Sequence, residues 1–166
     1  MTYKLGDADS GVRWMITCFL GVLTAAYAVG LLYVDHTTAM TPQGVGEQFL
    51  GTPDAKFIAA QKFAKSPGEM FTFLHNHLFS LSLMFLALGA LVHGTSILRP
   101  AWKRALMIEP FAALVTTFGG IILVRYVSPV FSWLVILSGI TLVAAYVLSV
   151  FVILAELWGR PSVGGS

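Results

Sequence analysis

Apolar residues along this chain fall into four long blocks, residues 11–34, 70–98, 101–127 and 129–158, separated by polar stretches of very unequal length. Each block reaches or exceeds the ~20 residues that an α-helix needs to cross a hydrocarbon layer of ~30 Å. The pattern predicts an all-α integral membrane four-helix bundle, forming one domain over residues 1–166. The second, third and fourth blocks are joined by only a few residues each, which forces antiparallel neighbours. Residues 35–69 form the one sizeable loop.

The polar stretches carry their own punctuation. Thr41-Pro42 reads as an N-cap followed by an N1 proline, opening a short helix through Phe49. Gly51-Thr52-Pro53-Asp54 breaks that helix and starts a second over residues 53–64. Its Phe57, Ile58, Ala60 and Phe63 lie among Lys56, Lys62 and Lys65, as in an amphipathic helix on a membrane surface or on top of the bundle. Ser66-Pro67-Gly68-Glu69 is a capping box with proline at N1, and it opens the second span. Residues 1–10 are polar and short, and are expected to fray or to lie at the interface. The first block is too long for a signal-peptide core and ends without a clear cleavage site, so it is read as a retained helix. Its Gly21, Ala25, Ala28 and Gly30 suggest close approach to a neighbouring helix, as do Gly119-Gly120 in the third span. Pro110 removes a backbone donor inside that span and is a candidate kink.

Composition agrees with this class: 57% of residues are hydrophobic and 11% charged, against the ~25% charged of soluble domains. A net charge of +2 with no basic cluster leaves no case for nucleic acid. Lys4, Arg13, Arg99, Lys103, Arg104 and Arg160 flank one set of span ends, including the short loop 99–104. The positive-inside rule then places both termini in the cytoplasm and residues 35–69 outside, in a bacterial inner membrane. The single cysteine, Cys18, has no partner for a disulfide or a thiolate metal site and reads as a small apolar filler.

Candidate chemistry gathers at two levels. Near the outer boundary lie Asp35, His36, Glu69, His75, His77, Arg125 and Tyr126. Ionisable groups at membrane depth are costly and mark functional positions. His75 and His77 are ~200° apart around a helix, so they face nearly opposite ways. The His75 face continues through Phe79, Ser82, Leu86 and Gly89 and is expected to point inward. The His77 face, with Leu81, Met84, Leu88 and Leu91, is expected to meet lipid. On this reading His75, with His36 or a partner subunit, and His77 nearby, holds a haem b or a metal ion, for which imidazole is a suitable ligand. Met40 and Met70 are alternative ligands. The competing reading makes His75 part of a structural hydrogen-bond network with Asn76, Arg125 or Tyr126. Near the inner boundary, His93 lies five turns, ~27 Å, from His75. His93 and Glu109 are the candidate proton-handling or structural polar pair, with Glu156 close by and reaching for water.

The strings Thr41-Pro42-Gln43-Gly44-Val45, Phe49-Leu50-Gly51, Leu74-His75-Asn76-His77-Leu78-Phe79 and Arg125-Tyr126-Val127-Ser128-Pro129 resemble a family of small four-span bacterial inner-membrane proteins. The resemblance covers the chain from the first span to about Trp158. It implies the four-helix fold and directs attention to His75 and His77, but implies no activity. Phosphate-binding glycine loops, H-E-x-x-H, C-x-x-C and nucleophile elbows are all absent. The expected role is an accessory or electron-transfer subunit of a membrane redox complex, not an enzyme on its own. The alternatives are a structural subunit beside a larger complex, binding lipid, quinone or pigment, and a small proton channel or transporter. Expected partners are membrane lipids and other integral membrane subunits, with quinone as a further candidate.

Overall fold

A computed structural model of the chain describes residues 4–52 and 61–159. Among the described residues the regular structure is entirely helical. It comprises α1 (Ser10–Thr38), α2 (Pro42–Leu50), α3 (Pro67–His93), α4 (Pro100–Tyr126) and α5 (Ser132–Trp158), with 3-10 turns at Leu5–Asp7 and Pro129–Phe131. Four helices are long and apolar enough to span a membrane, the last counted from Pro129 to Trp158. The chain is a multi-pass, all-helical membrane bundle.

Each helix begins where local chemistry directs it. Asp9 caps α1 by accepting from the Val12 amide at 3.0 Å. Thr41 caps α2 through the Gly44 amide at 3.0 Å, with Pro42 in the first turn. The capping box at α3 is complete: Ser66 Oγ accepts from the Glu69 amide, and the Glu69 carboxylate accepts from the Ser66 amide at 2.8 Å. Most of the expected second loop helix, residues 53–60, lies outside the described residues, and residues 61–64 are not helical.

The core is built mainly by α3, α4 and α5, with α4–α5 the most extensive interface. Gly120 makes the close crossing expected of it. A Cβ there would lie 3.0 Å from Val135 Cγ2, whereas Gly119 faces open space. Thr117 donates to Ser138 at 2.7 Å across the same interface. The i+3/i+4 stripe Ser132, Val135, Ser138, Leu142, Ala145, Ser149 and Val152 is the buried side of α5. Helix α4 runs through Pro110 without interruption.

Helix α1 stands apart from this core. Only Ile16, Leu20 and Thr38 are buried along it, against eight residues of α4. Its small residues do not make a close crossing inside the chain: Gly21 and Gly30 have nothing within 4 Å of a notional Cβ, and Ala25 and Ala28 are exposed. Cys18 is likewise exposed on this helix instead of filling a core. Side-chain contacts along its length pin α1 to α5. Thr24 bonds Tyr146 at 2.9 Å, Tyr27 stacks on Tyr146 at 4.0 Å, and Trp158 donates to Thr17 at 3.0 Å.

The end of the bundle that carries the termini is tightly tied. The expectation that residues 1–10 fray is wrong for the described part of that segment. Leu5 is fully buried, and its amide donates to the Gly94 carbonyl at 2.8 Å. Arg13 gathers the carbonyls of Gly6, Ala8 and Leu157 at 2.7, 2.9 and 2.9 Å. A cation at the end of α5 is favourable there, because the last turn presents unpaired carbonyls. Lys103 does the same for the end of α3, donating to the carbonyls of His93 and Thr95.

Candidate functional site

The polar residues at the α2 end of the bundle arise from three helices. His36 sits in the last turn of α1, His75 and His77 in the first half of α3, and Arg125 and Tyr126 at the end of α4. Helix α3 has 27 residues, ~40 Å of length. If α3 is centred on a ~30 Å hydrocarbon layer, His75 and Asn76 lie ~7–9 Å inside its boundary.

Most side chains of α3 face the opposite way from that expected from sequence, although Gly89 is buried, Ser82 half-buried and His77 exposed as expected. Phe73, Leu81, Met84, Leu88 and Leu91 pack into the core, while Thr72, His75, Asn76, Phe79, Leu83 and Leu86 point away from it. Phe79, one turn from His75, is 64% exposed. The reason lies in the environment. Both faces of a membrane helix are largely apolar, so the face richer in bulky side chains can serve the core as readily as lipid. Large aliphatic residues make the more extensive dispersion contacts against α4.

His75 therefore lies on the outside of the single chain. Its ring stacks on Phe79 at 6.2 Å, and it takes part in no hydrogen bond among the described residues. The structural network expected around it is absent. Arg125 instead donates to the Lys65 carbonyl at 2.8 Å, with its guanidinium 5.1 Å over the Tyr126 ring, and so holds down the end of the loop. Lys62 performs a similar task on the Thr37 carbonyl at 2.7 Å.

His77 is on the flank of the core face. Its Nδ1 is 2.9 Å from the Phe73 carbonyl, and its ring lies 4.3 Å from Phe73 and 5.8 Å from Phe118. With Nδ1 as the donor in this contact, Nε2 carries the free lone pair. His36 is exposed near the end of α1. Of the two methionines considered as ligands, Met70 is buried in the core and Met40 is exposed with a left-handed backbone.

These positions do not enclose a haem or a metal ion inside one copy of the chain. All four histidines, His36, His75, His77 and His93, are exposed, and no three His, Cys, Asp or Glu side chains converge among the described residues. Among the described residues no second His, Cys, Asp or Glu side chain joins His75 in such a group.

At the opposite end, His93 is exposed and Glu109 half-buried, and no hydrogen bond or ion pair joins them among the described residues. Glu109 instead borders a shallow hollow of about 510 Å³ with Ala101, Arg104, Ala105 and Ile108. Glu156 does not reach for water. It is 1% exposed, and its carboxylate accepts from Ser96 Oγ at 2.7 Å and from the Ile97 amide at 3.1 Å. Its role in the fold is to fix the turn between α3 and α4. Sequence reading placed it at the right depth but gave it the wrong surroundings, because a carboxylate at a helix end looks the same whether it meets water or a turn.

A family described as a transmembrane helical domain matches residues 39–163. The chain belongs to this family. The match begins at the α1–α2 turn and takes in α2 to α5, so it includes the packed α3–α4–α5 core, His75, His77, His93 and Glu109, while all of α1, with His36, lies outside it. No curated protein and no solved structure matches the chain.

Proposed function

We propose that this protein is a non-catalytic accessory subunit of a membrane assembly, and that it docks on other membrane-embedded helices through the α2-side half of α3. The observation that carries the reading is the outward stripe Thr72, His75, Asn76 and Phe79 on a helix long and apolar enough to span a membrane. The Asn76 amide and the His75 imidazole take part in no side-chain hydrogen bond among the described residues. Leaving such groups in lipid is costly, and pairing across helices is the usual relief. The stripe belongs to a helix whose opposite face is already used by the core, which favours another chain as the partner.

In the electron-transfer form of this reading, His75 provides one axial imidazole to a haem b, or one ligand to a metal, and the partner subunit provides the next. The free ring nitrogens of His75 favour it. The test is affinity purification from native membranes in mild detergent, with visible spectra of the purified assembly. The wild type is expected to bring down a defined membrane partner, and Asn76→Leu with His75→Leu to lose it without change in the subunit's own thermal stability. A reduced-minus-oxidised b-type band that vanishes in His75→Ala would support the electron-transfer form. Partner recovery unaffected by the double substitution would remove the docking reading.

A further inference from the structure

The exposed side of α3 has a regular spacing. From Asn76, the exposed positions Phe79, Leu83, Leu86 and Ala90 follow at alternating steps of three and four residues. This is the a/d seam of a heptad repeat, the period at which two helices supercoil with knobs-into-holes packing. The residues that α3 gives to the core, among them Leu81, Met84 and Leu88, fall at other heptad positions, so the bundle leaves the seam uncovered. One step further each way are Thr72 and His93, both exposed. The seam between them is ~32 Å long, about the thickness of a hydrocarbon layer.

Two polar side chains interrupt the seam. Asn76 occupies an a position and His75 the g position before it. Neither side chain takes part in a hydrogen bond among the described residues. Copies of one chain enter a membrane in the same orientation. A two-fold axis along the membrane normal therefore makes two α3 helices parallel and sets each a or d residue against itself at the same depth. A carboxamide carries donors and an acceptor, so Asn76 is its own complement across such an axis. In a parallel seam the g position faces the e position of the following heptad on the other helix. For His75 that position is Ser80, which is exposed. The Ser80 hydroxyl donates to the Asn76 carbonyl of its own helix at 2.6 Å, which leaves its oxygen to accept from an imidazole N–H. One register thus supplies partners for both polar groups, whereas a foreign helix would have to match each of them separately.

We infer, resting on the docking role proposed for the α3 stripe, that its occupant is α3 of a second copy of this chain, in a parallel, two-fold symmetric dimer. The two Asn76 amides hydrogen-bond to each other across the axis. Each His75 donates to the second copy's Ser80. Phe79, Leu83, Leu86 and Ala90 pack in successive layers below them. A single polar residue at an a position fixes register and the two-stranded state, which is the part Asn76 plays here.

The experiment is disulfide trapping of the full chain in native membranes, in a Cys18→Ser background. Leu83→Cys and Leu86→Cys, at exposed positions of the seam, are each expected to give a covalent species of twice the chain mass on mild oxidation. Val115→Cys, at an exposed position of α4, is expected to give at least fivefold less. Asn76→Leu added to Leu83→Cys is expected to lower the dimer yield about fivefold, as loss of an interhelical hydrogen bond in lipid does. No dimer from either seam variant, an equal yield from Val115→Cys, or an unchanged yield with Asn76→Leu would overturn the pairing. If the seam variants give no dimer but a different protein is recovered with the wild type and lost on substitution of residues 75 and 76, the docking role stands and the second copy as occupant falls. If neither a dimer nor a partner forms, both fall.

Discussion

Individual residues carry more of this fold than the apolar pattern suggests. The glycine of Thr41-Pro42-Gln43-Gly44 is needed for packing: a Cβ at Gly44 would lie 1.8 Å from the Thr38 carbonyl oxygen. The α1–α2 turn can close only if nothing is there. Gly44→Ala is expected to cost on the order of 3 kcal/mol, as overpacking against backbone does, while Gly30→Ala, facing open space, is expected to stabilise α1 by up to ~1 kcal/mol. Thermal unfolding of both variants in detergent checks the contrast. Glu156 gives a second case. Its hydrogen bonds to the 96–97 turn are buried, so Glu156→Ala is expected to lose about 3 kcal/mol and Glu156→Gln about 1 kcal/mol. Equal stability of all three proteins would show that the turn holds without the carboxylate. The caps at Thr41 and Ser66 were legible in the sequence because N-cap chemistry is local. The buried partner of Glu156 was not, because it lies about 60 residues away and only the folded chain brings it near.

At the scale of elements, the four spans follow directly from length and hydropathy, and their ends follow from proline and the capping box. What the sequence could not supply was the direction each helix faces. In water, polarity marks the outside. In lipid, the outside is as apolar as the core, so the His75 face of α3 and the small-residue face of α1 both looked like packing surfaces and proved to be exposed ones. Helix α1 is fastened at both ends, by Lys62 and Gly44 at Thr37–Thr38 and, at its start, by Arg13, which holds the Leu157 carbonyl and the 6–8 segment. Arg13→Met is expected to free the segment before α1 for protease cleavage while leaving the α3–α4–α5 core intact. Unchanged cleavage kinetics would show that Leu5 alone suffices to hold it.

For the whole molecule, the transmembrane helical domain family and the packed α3–α4–α5 core define a membrane protein with much apolar surface and two polar features facing outward. One is the hollow between α2 and the last span, lined by Glu47 and Trp133 among others. The other is the α3 stripe of Thr72, His75, Asn76 and Phe79. Among the described residues His93 and Glu109 are not joined, and the side-chain hydrogen bonds that link helices in the middle of the bundle are Thr117–Ser138 and Thr24–Tyr146. The most direct test of the central claim is photocrosslinking in native membranes, with a photoreactive residue at position 76 and, as a lipid-facing control, at the exposed Val115 position of α4. The account predicts one discrete protein adduct from position 76 and only lipid adducts from position 115. Lipid adducts alone from both positions would contradict it.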